Sequence, residues 1–224
     1  MTDKLDCVRE GNVAVVSLDD GKANAMGFEM LNGINEMLDG VQHDYEAMVL
    51  LGREGVLSGG FDLKVIQGGD SQEIQRLVTL GVKTMMRIYG FPLPVVTVAT
   101  GHAVALGGFF LLASDYRLGV SGEFKIGLNE TAIGLNLPKF GIELAKARLS
   151  PCYLTNATIL AELYSPEEAV KVGFLDSVAE PSNVRGQALE LAVKYAAYER
   201  KVFEHNKLSF RSAMIDSVLQ ALDA

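Results

Sequence analysis

Cysteine and histidine are scarce in this chain, and positive charge is outnumbered. The two cysteines, Cys7 and Cys152, are too few for a disulfide framework, and neither lies in a Cys-x-x-Cys or Cys/His ligand spacing. The three histidines, His43, His102 and His205, are scattered and offer no zinc pattern. No metal site is therefore expected. Twenty Lys and Arg stand against 28 Asp and Glu, a net charge of −8 with a pI near 4.9. That balance argues against a nucleic-acid or anionic-membrane surface, so an anionic ligand would need local positive charge. The opening Met1-Thr2-Asp3-Lys4-Leu5-Asp6 lacks the apolar core of a signal peptide. No repeat of 20–50 residues and no low-complexity tract is evident. A soluble cytoplasmic protein is the expectation.

Apolar residues are abundant by contrast. They make up 49% of 224 residues, enough for a substantial core in one large domain or one domain with an appendage. Val95 to Ala113 is uncharged and long enough to span a bilayer. Thr97, Thr100, His102 and the glycines at 101, 107 and 108 interrupt it, so it reads as a buried strand, a turn and a buried helix.

Strand and helix patterns alternate. Leu5 to Arg9 and Val13 to Leu18 read as a strand pair across Glu10-Gly11-Asn12, followed by a turn at Asp19-Asp20-Gly21-Lys22. Phe28, Leu31, Ile34, Leu38 and Val41 recur at helical spacing. Residues 47–51 form a buried strand pattern, 52–60 a glycine-rich loop, and 71–90 a helical stripe that Pro92 and Pro94 end before a strand at 95–99. Short strands at 115–119 and 124–126, and a helix from near Pro138 to about Leu149, continue the pattern. Ser165-Pro166-Glu167-Glu168 is a capping-type helix start, Gly173 closes that helix, and 174–179 reads as a strand. Everything after Pro181 reads as helical, in two segments split near His205-Asn206. The alternation implies an α/β core with mainly parallel strands.

The chemistry concentrates in two segments. Ile126-Gly127-Leu128-Asn129-Glu130-Thr131 sets one carboxylate in an apolar, glycine-containing stretch, where burial should raise its pKa and let it move a proton. Gly101 to Phe110 is a glycine-rich turn running into an apolar helix, whose first N–H groups could hold a developing oxyanion. Together they point to chemistry on an acidic C–H next to a carbonyl. Asp62 and Asp115 read as turn braces, and His102 as a hydrogen-bonded turn residue.

These residues resemble the crotonase (enoyl-CoA hydratase/isomerase) superfamily. Asn24-Ala25-Met26, Ser58-Gly59-Gly60-Phe61-Asp62-Leu63, Gly101 through Asp115, Gly127 to Gly134 and Ser165 to Ala169 match its motifs in order, over about residues 5–180. Asp115-Tyr116-Arg117 and Gly127 to Thr131 look most like the Δ3,Δ2-enoyl-CoA isomerases. The resemblance implies a crotonase-like spiral of ββα units over 1–180, with a helical C-terminal region, 181–224, that is short for the family. It implies an acyl-CoA thioester substrate, no separate cofactor (CoA being part of the substrate), and assembly as a homotrimer or dimer of trimers.

Carried over by position, Glu130 is the acid/base, and the N–H groups of Phe61 and Leu106 form the oxyanion hole, with Gly107 as the alternative second donor. Lys22, Ala23, Met26, Gly60, Lys64 and Gly107 are the implied CoA-contacting positions. Hydratases of the family carry a second glutamate where this chain has Phe109. An isomerase, which needs only one base, is the expected activity. A hydratase or other acyl-CoA enzyme on the same scaffold, and a non-catalytic acyl-CoA-binding homologue, stand as alternatives.

Overall fold

In the computed structural model, which describes residues 3–222, alternate residues of Val13–Leu18 go to two different apolar clusters. Val13 and Val15 join Val49, Val96 and Val98 on one side, while Ala14, Val16 and Leu18 join Met48 and Leu50 on the other. A strand sends successive side chains to opposite faces, so a sheet of such strands must be covered on both. The sheet comprises β1 (Leu5–Glu10), β2 (Val13–Leu18), β3 (Ala47–Gly52), β5 (Val95–Ala99), β7 (Tyr116–Val120) and β9 (Ser177–Ala179), side by side in that order. Only the β1–β2 hairpin is antiparallel; the other pairs are parallel.

A second sheet holds three short parallel strands in the order β4 (Gly55–Ser58), β6 (Gly101–Val104) and β8 (Ile126–Gly127). The pairs β3/β4, β5/β6 and β7/β8 are each consecutive in the chain. Every turn thus adds one strand to each sheet before helices follow: α2 (Leu63–Gly68) and α3 (Ser71–Tyr89), then α4 (Leu106–Ala113), then α5 (Lys139–Arg148). This is the spiral of ββα units that the family resemblance implies.

The helices divide between the two faces of the larger sheet. The first, α1 (Phe28–Asp44), packs with α3 and α4 against Met48 and Leu50. The opposite face is covered by α7 (Val184–Ala196), whose Ala188, Ala192 and Ala196 recur every four residues. Small side chains at that spacing let the helix lie close to the strands. Before it, α6 (Pro166–Val172) begins with the expected capping box between Ser165 and Glu168. The last helix, α8 (Arg200–Gln220), packs along α3 and α5.

Asp115 brings α8 to the sheet. Its carboxylate accepts from Lys207 Nζ at 2.7 Å, from Arg211 Nη1 at 2.9 Å and from the Val95 N–H at 2.8 Å. Burial pushes the Lys207 ammonium down to about 8, against the opposing pull of Asp115. Asp115 braces the bend before β7 as expected. His102 is also hydrogen-bonded as expected, its Nδ1 accepting from the Lys125 N–H at 3.0 Å, but it lies in β6 and not in a turn.

The structure departs from the sequence expectations at several places. The C-terminal helices break at Tyr198-Glu199, not near His205-Asn206, because the Glu199 carboxylate caps the Lys201 and Val202 N–H groups at 3.2 and 2.7 Å. The 52–60 loop contains β4, and the glycine-rich turn contains β6; both strands form only because a parallel neighbour is present. Helix α2 has no apolar period to announce it and buries no residue. The strand expected over 174–179 shrinks to 177–179, since the Phe174 and Leu175 N–H groups go back to the Ala169 carbonyl. The uncharged run 95–113 divides among β5, β6 and α4, and among the described residues no helix is long and apolar enough to cross a membrane.

Candidate active site

Asp20 starts the site. Its carboxylate accepts from the N–H groups of Lys22 and Asn24, both at 2.8 Å, and of Ala25 at 3.0 Å, and these bonds hold its pKa below the usual range against the opposing effect of burial. The bonds stabilise Asn24 at φ +48, fully buried. The Asn24 amide then donates to the Leu18 and Leu57 carbonyls, tying the end of β2 to β4. Ser58 Oγ donates to the Asn24 carbonyl at 2.8 Å and accepts from the Gly60 N–H at 3.1 Å. Met26 completes the clamp: its N–H goes to the Gly60 carbonyl at 2.9 Å, and its own carbonyl accepts from Asp62 N–H at 3.3 Å. The pattern skips Phe61, whose N–H takes part, among the described residues, in no backbone bond outside the regular elements.

A second unspent N–H comes from the start of α4. Ala105, at φ +53 and ψ −120, turns the chain sharply out of β6, a conformation that costs a non-glycine residue about 1–3 kcal/mol. Its N–H donates to the Gly127 carbonyl at 3.0 Å and its carbonyl accepts from Phe109 N–H at 3.2 Å. Leu106 is the first helical residue, so its N–H has no intrahelical acceptor.

Gly60 and Gly107 let the two segments meet. Gly60 sits at φ +103, and a Cβ there would lie 2.9 Å from Ala105 Cβ and 3.6 Å from Leu106 N. A Cβ on Gly107 would lie 2.2 Å from the Ser58 carbonyl oxygen, an overlap no side chain survives. Gly107 therefore presses on β4, while Leu106 lines the cavity.

Glu130 reaches the same cavity from the turn after β8. The turn is a single 3-10 segment, Thr131–Ile133, in which the Glu130 carbonyl accepts from Ile133 and Leu135 N–H groups. The Glu130 side chain is buried, and its Oε2 has no hydrogen-bond partner. Burial raises its pKa, and a backbone hydrogen bond offsets part of that rise. The cavity holds about 440 Å³ and is lined by Phe61, Leu106, Phe109 and Phe140 on the inside and by α2, α3 and the 133–138 segment further out. Glu130 is the one ionisable side chain among the lining residues.

The other sequence candidates are divided. Gly59 lines the cavity and packs on exposed Ala23, placing that residue at the rim. Lys22 and Lys64 are exposed, and among the described residues neither forms an ion pair. Met26 is wholly buried, and only its backbone serves the Phe61 loop. Asp62 caps α2 by accepting from the Lys64 N–H at 2.9 Å. Sequence reasoning passed over Asp20, whose turn gave no sign of bracing Asn24. It also passed over Asn129, whose buried Oδ1 is unpartnered and whose side chain lines the cavity beside Glu130.

A two-sheet ββα spiral with Phe61, Leu106 and a buried Glu130 lining one cavity is the architecture of a crotonase-fold enzyme. The chain belongs to the enoyl-CoA hydratase/isomerase family, whose sequence model matches residues 8–224. It is similar to the crystal structure of a family member from Pseudomonas syringae, with a TM-score of 0.96 and 35% identity, covering 99% of this chain and 96% of that one. It is 26% identical over 216 residues to the mouse mitochondrial enoyl-CoA delta isomerase 1, covering 95% of this chain and 75% of the relative. It is also 26% identical over 196 residues to the short-chain-enoyl-CoA hydratase of Clostridium acetobutylicum, covering 83% and 72%. The equal identity to an isomerase and a hydratase does not distinguish the two reactions.

Proposed function

We propose that this enzyme is an acyl-CoA isomerase that converts 3-enoyl-CoA to 2-enoyl-CoA, with Glu130 as its only acid/base. The carboxylate takes a proton from C2, and the C–H electron pair moves into a dienolate whose charge rests on the thioester oxygen. Glu130, now protonated, returns the proton at C4 as the double bond settles between C2 and C3. Atoms balance with no co-reactant. Two N–H donors at Phe61 and Leu106 stabilise the dienolate oxygen, each worth roughly 3–4 kcal/mol by oxyanion-hole precedent. Leu106 is preferred to Gly107 as the second donor because it lines the cavity.

The observation carrying this reading is that the cavity holds a single ionisable side chain. Hydration must hold, deprotonate and split a water, work that the family's hydratases share between two carboxylates. The second position is Phe109, buried at 1% exposure with its ring 4.8 Å from that of Phe140. An acyl-CoA-binding protein without turnover would have no use for an unpaired buried carboxylate, which is costly to keep. Incubation with a 2-enoyl-CoA, followed as loss of conjugated-thioester absorbance, is expected to give hydration at least tenfold slower than isomerisation of the 3-enoyl-CoA. Hydration within tenfold, about 1.4 kcal/mol in barrier, overturns the assignment.

We also infer self-association as a homotrimer or dimer of trimers. Support comes from apolar side chains left exposed after the core is complete, among them Ile159, Leu160, Val193, Val202 and Phe210. Several C-terminal apolar residues do not contribute, since Val184 and Val218 are spent in this chain's own core. Light scattering at micromolar concentration is expected to report three or six times 24.2 kDa. A clean monomer refutes the inference.

A further inference from the structure

The walls of the cavity change character from the inside outward. Leu106, Phe109 and Phe140 are almost wholly buried around Glu130. Further out, Ile66 and Val78 are half-buried. At the rim, Leu63 on α2 and Ile133 and Leu135 on the opposite turn line the cavity while remaining 54%, 49% and 41% exposed. These rim residues come from two separate segments, and neither α2 nor the Thr131–Ile133 turn has a fully buried residue, although Val65 and Ile66 of α2 pack against the core. Three large apolar side chains on both lips of one cavity form an exposed strip continuous with the reaction centre, the kind of surface that a ligand covers.

At roughly 30 Å³ per water-sized group, a cavity of about 440 Å³ takes on the order of a dozen carbon-sized groups. A short acyl unit anchored at the oxyanion donors would occupy the inner part and leave the rim in water. We propose that the substrate is a medium- to long-chain enoyl-CoA, whose tail leaves the reaction centre between α2 and the 131–135 turn and covers Leu63, Ile133 and Leu135. The proposal rests on the isomerase reading for its reaction and on the rim for its chain length. Gln67 and Asn136, which also line the cavity and are exposed, mark where the tail meets solvent.

The test compares 3-hexenoyl-CoA with 3-dodecenoyl-CoA, below the micelle threshold of the longer thioester, in the wild type and in a Leu63→Ser/Leu135→Ser double variant. Saturated butanoyl- and dodecanoyl-CoA are titrated calorimetrically in parallel, and particle mass is followed by light scattering. Each methylene buried is worth roughly fourfold in affinity, so kcat/KM for the dodecenoyl substrate is expected to exceed that for the hexenoyl by about tenfold or more. The double variant is expected to lower that ratio by about four- to sixteenfold, the effect of losing apolar cover for one to two methylenes. Equal turnover of both chain lengths overturns the chain-length inference and leaves the isomerase reading standing. No turnover of either, with dodecanoyl-CoA still bound more tightly than butanoyl-CoA, sinks the isomerase reading and supports the chain-length inference. A double variant that keeps its chain-length ratio but changes particle mass makes the rim a subunit contact and overturns the proposal.

Discussion

Replacing Glu130 with glutamine is expected to lower kcat for 3-enoyl-CoA isomerisation by about 10²–10⁴-fold, with little change in affinity for a saturated acyl-CoA. Glutamine keeps the size and hydrogen-bonding capacity of the side chain but accepts no proton at neutral pH. The buried carboxylate has a raised pKa, so wild-type kcat/KM should fall on acidification at a pH above the ordinary glutamate range, as the base becomes protonated. The variant should also be no less stable at neutral pH. Between the unfolded and the raised folded pKa of Glu130, the folded state binds more protons, so its stability falls as pH rises through that window. Above the window the full cost of burying the charge is present, and glutamine removes it. A Glu130→Gln enzyme that retains more than a third of wild-type kcat shows that another group carries the proton.

Replacing Asp115 with asparagine should damage the fold rather than the chemistry. Asp115 is the shared counter-charge of Lys207 and Arg211, whose side chains are only 3% and 12% exposed. Removing one partner of a buried ion pair leaves uncompensated charge and costs about 3–5 kcal/mol. For a chain of this size that lowers the melting temperature by on the order of 10 °C. Asp115 holds the Lys207 pKa up, so in the variant Lys207 should titrate below the wild type's value of about 8, and the loss should shrink as pH rises toward about 8 and level off above it. Within that window the folded variant binds fewer protons than the folded wild type, so its stability gains on the wild type with pH. Arg211 also loses its counter-charge, so the recovery stays incomplete. Thermal melts of the variant at several pH values check both parts; a melting temperature within about 2 °C of wild type would remove Asp115 from the anchoring of α8.

Much of the larger sheet and its helices is legible along the chain. Val13–Leu18, Ala47–Gly52 and Val95–Ala99 are apolar runs bounded by turns, and the stripe from Leu77 to Ile88 has helical spacing. The second sheet is not legible. Its strands have four, four and two residues, too short for a period, and they exist because each lies beside the preceding strand of the spiral. The break before α8 hides for another reason: a glutamate reads as a helix former until its side chain is seen capping two N–H groups.

The site divides along the same physical line. Glu130 stands out in the sequence because it is an acidic residue in an apolar stretch with Ile126 and Leu128, and Phe109 stands out once the family resemblance marks its place as that of the hydratases' second glutamate. Those facts belong to side-chain chemistry and are present in the linear chain. The availability of the Phe61 and Leu106 N–H groups is not. Phe61 is left free by Met26 bonding on either side of it, and Leu106 by the strained turn at Ala105 that Gly127 holds from the next strand. Backbone donors are identical at every residue, so only the three-dimensional pattern of which are already bonded decides which remain for a substrate.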